Sequence, residues 1–199
     1  VLVVGIKGPK FSGKDTFATM LLEENSKNDD PVPMHAFAFA YMLKKTCGMV
    51  FHLSHEQLHG SKEEKEAVDP RWDKSGRELM QLWGTEIGRA IDSQVWVKNL
   101  NLQIESWAKG IKGGSSTAVA LVTDCRFLNE AAYVRSEGGL IIEIQRDDAF
   151  TGLLEGHASE IEMREIRADL LVDNNGTLED LRESAQTVLE VLREDVEGR

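Results

Sequence analysis

The chain has 199 residues, a hydrophobic fraction of 41% and a formal net charge of −11. That length suits one α/β domain with a sizeable core. The charge argues against a general nucleic-acid binder, which would present a basic face, but leaves room for a small phosphorylated ligand held by local Arg and Lys.

Cys47 and Cys125 have no metal-ligand spacing, so free thiols in a reducing, cytoplasmic compartment are expected. No stretch is apolar and long enough to cross a membrane, and no secretory leader is visible.

The apolar opening Val1-Leu2-Val3-Val4-Gly5-Ile6 predicts a buried strand. Gly8-Pro9-Lys10-Phe11-Ser12-Gly13-Lys14 then fits GxxxxGK, a phosphate loop. Gly8 and Gly13 permit close backbone approach, successive amides and a helix start can surround phosphate oxygens, and Lys14 adds a mobile cation. Asp15 stands where Ser or Thr ordinarily meets magnesium, with Thr16 one place later. A helix is expected from Asp15 to about Leu22, then a polar loop over Glu23–Pro33.

His35–Ala40 reads as a second strand leading into a helical Tyr41–Lys45. Lys44 and Lys45 divide evenly between contact with a substrate phosphate and a solvated helix face. Phe51–Pro70 is a polar excursion, with a capping box at Ser54-His55-Glu56-Gln57. Over Gly76–Ile91 a helix is predicted, with Leu79, Trp83, Ile87 and Ala90 inward and Arg77, Gln81 and Thr85 on a second line. Arg77 has no favourable interaction with the positive end of a helix, which points to a ligand or an acidic partner. Asp92 or Ser93 caps a further helix reaching about Lys109, with Trp96, Leu100, Ile104 and Trp107 as its stripe.

Thr117–Thr123 is a nearly continuous apolar strand, as in a parallel sheet covered on both faces, and it ends at Asp124. An acidic residue there would hold magnesium through water or orient a phosphate-binding Arg; a helix cap is the plainer alternative. Arg126 and Glu130 follow within six residues. Leu140–Ile144 is a strand, and Arg146, Arg164 and Arg167 are lid cations for donor phosphates. His157 lacks metal-site spacing, and Ser159 is a cap for a Glu160–Arg167 helix. A short strand at Asp169–Val172, a turn at Asn174-Asn175-Gly176 and an amphipathic helix (Leu178, Leu181, Ala185, Val188, Leu192) close the chain.

Several pieces together resemble the bacteriophage deoxynucleoside monophosphate kinases, within the P-loop kinases. They are Gly13-Lys14-Asp15-Thr16, Phe39-Ala40 with Leu43-Lys44, Asp69-Pro70, Arg77 to Gln81, Gly84-Thr85-Glu86, Val95-Trp96-Val97, Thr123 to Glu130 and His157 to Glu160. The resemblance implies an α/β P-loop nucleotide kinase fold, a parallel sheet with helices on both faces and a mobile lid. It implies one domain over residues 1–199, with a monophosphate-binding region near 40–110 and the lid near 146–168.

The implied reaction moves the γ-phosphoryl group of ATP, accompanied by Mg2+, onto a deoxynucleoside monophosphate. Gly8, Lys10, Ser12, Gly13, Lys14, Asp15 and Thr16 would bind the donor, with Arg146, Arg164 and Arg167 as lid. Lys14, Arg77, Asp124 and Arg126 would be catalytic. Lys44, Arg77, Gln81, Trp83, Glu86, Arg126 and Glu130 would hold the acceptor, and Asp15, Thr16 and Asp124 would serve the metal. The acceptor is already an oxyanion, so alignment and charge neutralisation would supply most of the catalysis. The implied partners are these nucleotides, with no nucleic acid or membrane, and a homodimer is compatible with so compact a kinase. The alternatives are a dephospho-coenzyme A kinase-like enzyme and a P-loop nucleotide-binding switch without acceptor; a DNA-binding accessory role is disfavoured by charge.

Overall fold

A computed structural model describes residues 1–111, 118–147 and 158–198. Residues 148–157 of the expected lid, His157 among them, lie outside the described residues, as do residues 112–117. The chain divides into two compact units, one made of Val1–Ala38 and Leu102–Arg199 and the other of Phe39–Asn101.

The first unit is built on a parallel sheet. β1 (Leu2–Lys7), β2 (Met34–Phe37), β5 (Val119–Val122), β6 (Leu140–Gln145) and β7 (Leu170–Asp173) lie in the order β2-β5-β1-β6-β7. β1 is central, buried at every residue, and pairs with β5 on one side and β6 on the other. Leu2, Val4 and Ile6 cluster with Phe17, Ala18 and Leu21 of α1 (Lys14–Ser26) and with Leu181, Ala185 and Leu192 of α10 (Leu178–Glu197). On the opposite face a Cβ on Gly5 would meet Ile141 at 2.8 Å and Val134 of α8 (Leu128–Ser136) at 3.3 Å, so glycine lets α8 approach. Helices thus cover both faces, as the unbroken apolar strands require. α9 (Ala158–Glu165) and the part of α7 (Val95–Lys109) from Leu102 onward are the other helical pieces of this unit among the described residues.

α1 runs one turn beyond the expected end at Leu22, because Glu24 and Asn25 are buried with partners. Glu24 accepts from Lys27 at 2.6 Å, Arg182 at 2.6 Å and Gln186 at 3.0 Å, which joins α1 to α10. Lys27 foremost, then Gln186 and Arg182, hold its carboxyl down to a pKa of about 2. α10 starts in the expected capping box, Thr177 with Asp180, but Leu178 is 68% exposed rather than part of the apolar stripe. At the first helical position it points away from the face that Leu181 and Ala185 present to the core.

The second unit is mostly helical: α2 (Ala40–Phe51), α3 (His55–His59), α4 (Lys62–Glu66), α5 (Gly76–Gln81), a π-helical segment (Leu82–Gly88), α6 (Arg89–Ile91) and the start of α7 (Val95–Lys109). A two-stranded hairpin, β3 (Val68–Asp69) with β4 (Lys74–Ser75), sits between α4 and α5. Serine-led capping boxes start α3 (Ser54 with Gln57, as expected), α4 (Ser61 with Glu64) and α5 (Ser75 with Glu78). Cys47, Leu53, Leu58 and Leu79 form its small core, with Phe51 and Trp83 packed against it. Asp69 is buried, receives Arg71 at 2.9 and 2.6 Å and Gln57 at 3.0 Å, and is held well below the usual carboxylate range chiefly by Arg71.

The helix expected over Gly76–Ile91 is observed, as an unbroken run of α5, the π-helical segment and α6. Its middle widens into the π segment, Ile87 is 45% exposed and Ala90 is exposed, so the predicted stripe stops at Trp83. The cause is local. A Cβ on Gly84 would meet Leu43 at 2.7 Å, and the Gly84 carbonyl accepts from Trp96 Nε1 at 2.9 Å. A carbonyl drawn toward a side chain weakens the ordinary i→i+4 ladder, and π turns concentrate at such places.

Candidate functional site

β1 delivers its C-terminal end straight into the phosphate loop. Gly8 has φ +149°, Phe11 φ +67° and Gly13 φ +95°, so three turns of the backbone lie outside the common L-residue regions. A Cβ on Gly8 would meet the Ile144 carbonyl at 2.6 Å and Ser12 Oγ at 2.7 Å, and one on Gly13 would collide with the Asn174 amide. Both glycines are therefore dictated by close approach as well as by φ.

Lys14 Nζ donates to the carbonyls of Gly8 at 2.9 Å and Pro9 at 2.7 Å, so its cation lies folded over the loop. Ser12 is fully buried, and its Oγ has no hydrogen-bond partner. A buried hydroxyl left unpaired is costly unless a ligand meets it. The start of α1 adds amides that have no intrahelical acceptor and the positive end of the helix.

The loop is also fixed from the turn that follows β7, to which no functional role was given from the sequence. Asn174, buried at the end of β7, donates through Nδ2 to the Ser12 carbonyl at 2.7 Å. Its sequence signal is a polar amide immediately after a short apolar strand, at the same C-terminal end of the parallel sheet as the loop.

Asp15 and Thr16 are exposed on the first turn of α1. They border a cavity of about 360 Å³ that Thr19, Met20, Glu23 and Arg182 also line. Lys10 is half-buried, with its ammonium 4.9 Å from the centroid of the Phe11 ring.

β5 ends as expected just before Asp124, which is half-buried. Arg126 is exposed, and its backbone amide donates to Glu130 Oε2 at 2.9 Å, with the Phe127 amide at 3.1 Å on the same oxygen. Glu130 is buried, so its carboxylate acts as the cap of α8 and fixes the Arg126 backbone. Arg146 is exposed beyond β6, and Arg164 and Arg167 are exposed on and after α9. Cys125 beside Asp124 is buried and its thiol pKa is pushed up, foremost by burial and then by Glu130 and Asp124, so it stays a neutral thiol.

In the second unit Lys44 lies half-buried on α2. Arg77 opens α5 and pairs with Glu66 at 3.2 Å, which supplies the acidic partner its position called for. Gln81 ends α5 half-buried; Trp83 and Glu86 fall in the π segment. The Trp83 ring meets Phe51 edge-on at 5.8 Å, so packing accounts for one side of it, and Glu86 is exposed. The predicted Arg77–Gln81–Thr85 line loses its register where α5 gives way to the wider turn.

Among the described residues no group of three or more His, Cys, Asp or Glu side chains could by itself hold a metal ion. No helix of the described residues is long and apolar enough to cross a membrane.

The sequence model of the deoxynucleotide monophosphate kinases matches residues 54–185. The chain belongs to the deoxynucleotide monophosphate kinase family. A protein of Acanthamoeba polyphaga mimivirus, provisionally named a deoxynucleotide monophosphate kinase, is 30% identical over 190 residues, covering 90% of this chain and 92% of that one. The deoxynucleotide monophosphate kinase of Escherichia phage RB69 is 28% identical over 123 residues, 61% of this chain and 47% of the phage protein. A solved shikimate kinase from Aquifex aeolicus vf5 aligns over 95% of this chain and 96% of its own, at 15% identity and a TM-score of 0.45, too slight a likeness to carry any argument. Family membership supports phosphoryl transfer of the nucleotide-kinase kind.

Proposed function

We propose that this chain transfers the γ-phosphoryl group of ATP to deoxynucleoside monophosphates, giving the diphosphate and ADP. The observation that carries the reading is the Gly8–Thr16 loop. Its glycines hold positive φ and close approaches that fix the loop backbone, its buried Ser12 hydroxyl is unpaired, and its lysine rests on the loop's own carbonyls.

The loop amides, Lys10, Ser12 and Lys14 hold the donor phosphates, and Lys14 leaves the Gly8 and Pro9 carbonyls to do so. An acceptor phosphate oxygen attacks the γ-phosphorus while the bond to the β–γ bridging oxygen breaks. No base is needed, because the acceptor oxygen is already anionic. Arg77 and Arg126 neutralise the acceptor phosphate, with Lys44, Gln81, Trp83 and Glu86 lining the acceptor side. Glu130 acts through the Arg126 backbone that it caps. Arg146, Arg164 and Arg167 approach the donor as lid cations.

Magnesium bound with ATP would neutralise charge on the transferred group. Asp15, Thr16 and Asp124 fit it, since magnesium commonly takes one or two protein oxygens and completes its shell with phosphates and water.

The test is acceptor-dependent ADP release, measured with each common deoxynucleoside monophosphate, each ribonucleoside monophosphate and dephospho-coenzyme A. Release with the first class and negligible release with dephospho-coenzyme A is expected. ADP release that ignores every acceptor would sink the kinase reading and leave the nucleotide-binding switch.

A further inference from the structure

Glu66 closes α4 and reaches Arg77 at the start of α5 with a single contact, Nη1 to Oε1 at 3.2 Å. The pair is partly exposed, with side-chain exposures of 32% for Arg77 and 41% for Glu66. An Arg–carboxylate pair at full strength is bidentate; a one-contact pair in solvent is weak and exchangeable. Glu66 has a second cation within reach, Lys62 one turn earlier on α4, at 3.9 Å. If Arg77 leaves, the carboxylate keeps a positive neighbour, so release costs little. A carboxylate also resembles part of a phosphate to a guanidinium: a small oxyanion with hydrogen-bond acceptors.

We propose that Glu66 is a resident competitor of the acceptor phosphate for Arg77 and sets the acceptor KM upward. This inference rests on the assignment of Arg77 to the acceptor phosphate. Two effects act in the same direction. The acceptor must displace the Glu66 carboxylate from Arg77, and the displaced carboxylate then repels the incoming phosphate. Removing the negative charge relieves both. A helix-weakening role for Glu66 would predict the opposite, because lost structure raises KM.

The experiment is a double-mutant cycle at low ionic strength, with KM and kcat measured for dAMP, dCMP, dGMP and dTMP. Glu66→Gln should lower the acceptor KM about two- to five-fold, the size of an exposed ion pair, with kcat and the KM for ATP unchanged. Glu66→Ala should move KM in the same direction. In an Arg77→Ala background the Glu66→Gln effect should be clearly smaller, because only the repulsion is left to relieve. An unchanged or raised acceptor KM in Glu66→Gln would overturn the proposal while leaving Arg77 in place. An equal fall in the Arg77→Ala background would also overturn it, by showing a general charge effect. If Arg77→Ala alone alters neither acceptor KM nor kcat, the assignment of Arg77 fails and this inference falls with it.

Discussion

On the proposed function the Gly8–Thr16 loop and the surroundings of Arg77 each take an anion, and they are built in opposite ways. In the loop, backbone does the positioning: two close-packed glycines, positive φ angles and one buried amide from β7 leave little freedom. Around Arg77 a partly exposed side chain is held by one partly exposed partner, on short helices that meet a π turn. Backbone preorganisation gives a strong fixed site for the phosphates common to every turnover. Exchangeable side-chain pairs give a weaker site that can be tuned without refolding.

The sharpest test of the first half is Lys14→Ala. Turnover should fall by about a hundredfold or more, as expected when charge stabilisation of a transition state is removed. The melting temperature should hardly change, because the lysine is partly buried and its ammonium bonds loop carbonyls, Gly8 and Pro9 among them, rather than packing in the core. A large loss of stability would mean that the lysine is a structural strut and that the loop is less self-supporting than its backbone suggests. Asn174→Ala should come next. Removing the buried bond to the Ser12 carbonyl leaves an acceptor unpaired, worth about 1–3 kcal/mol. The KM for ATP should rise about tenfold while the acceptor KM stays put. An unchanged KM for ATP would place the loop's rigidity in the glycines alone.

The same contrast explains what the sequence made legible. The β1–loop–α1 unit shows in residue types, because its glycines and lysine are demanded by backbone geometry and charge at fixed spacing. The acidic end of β5 and the Ser54 and Thr177 caps show for the same reason: each is a local rule satisfied by neighbours in the chain. Asn174 was hidden because its partner, Ser12, is 162 residues away. The closure of the Glu130 carboxylate on the Arg126 and Phe127 amides was likewise hidden, because its place in a charged run after a strand does not say which groups it meets. The π turn was hidden because it depends on Leu43 and Trp96 closing on Gly84, contacts that no helical periodicity contains. Two glycines at 84 and 88 inside a helical pattern were the available warning.

The second half of the comparison breaks or stands on Arg77→Ala. It should raise the acceptor KM or lower kcat by about tenfold, a change of about 1.4 kcal/mol, with the KM for ATP unchanged. Failure in both parameters would remove Arg77 from the site and leave the 77–86 segment as packing.

The smallest effect concerns what holds the loop's helix in place. Glu24 is titrated down from 4.5 to about 2 by Lys27, Gln186 and Arg182, so it favours the folded state once the unfolded chain's glutamate is ionised. That contribution is fully present above about pH 5 and is lost as pH falls from the unfolded value toward the folded one. Glu24→Gln should therefore melt below the parent protein at neutral pH, and the gap should close steadily from pH 5 to pH 2 in paired thermal melts. A gap that stays constant with pH would assign the effect to shape rather than charge. A gap that widens on acidification would reverse the sign of the linkage, and with it the view that charge joins α1 to α10 beneath the phosphate loop.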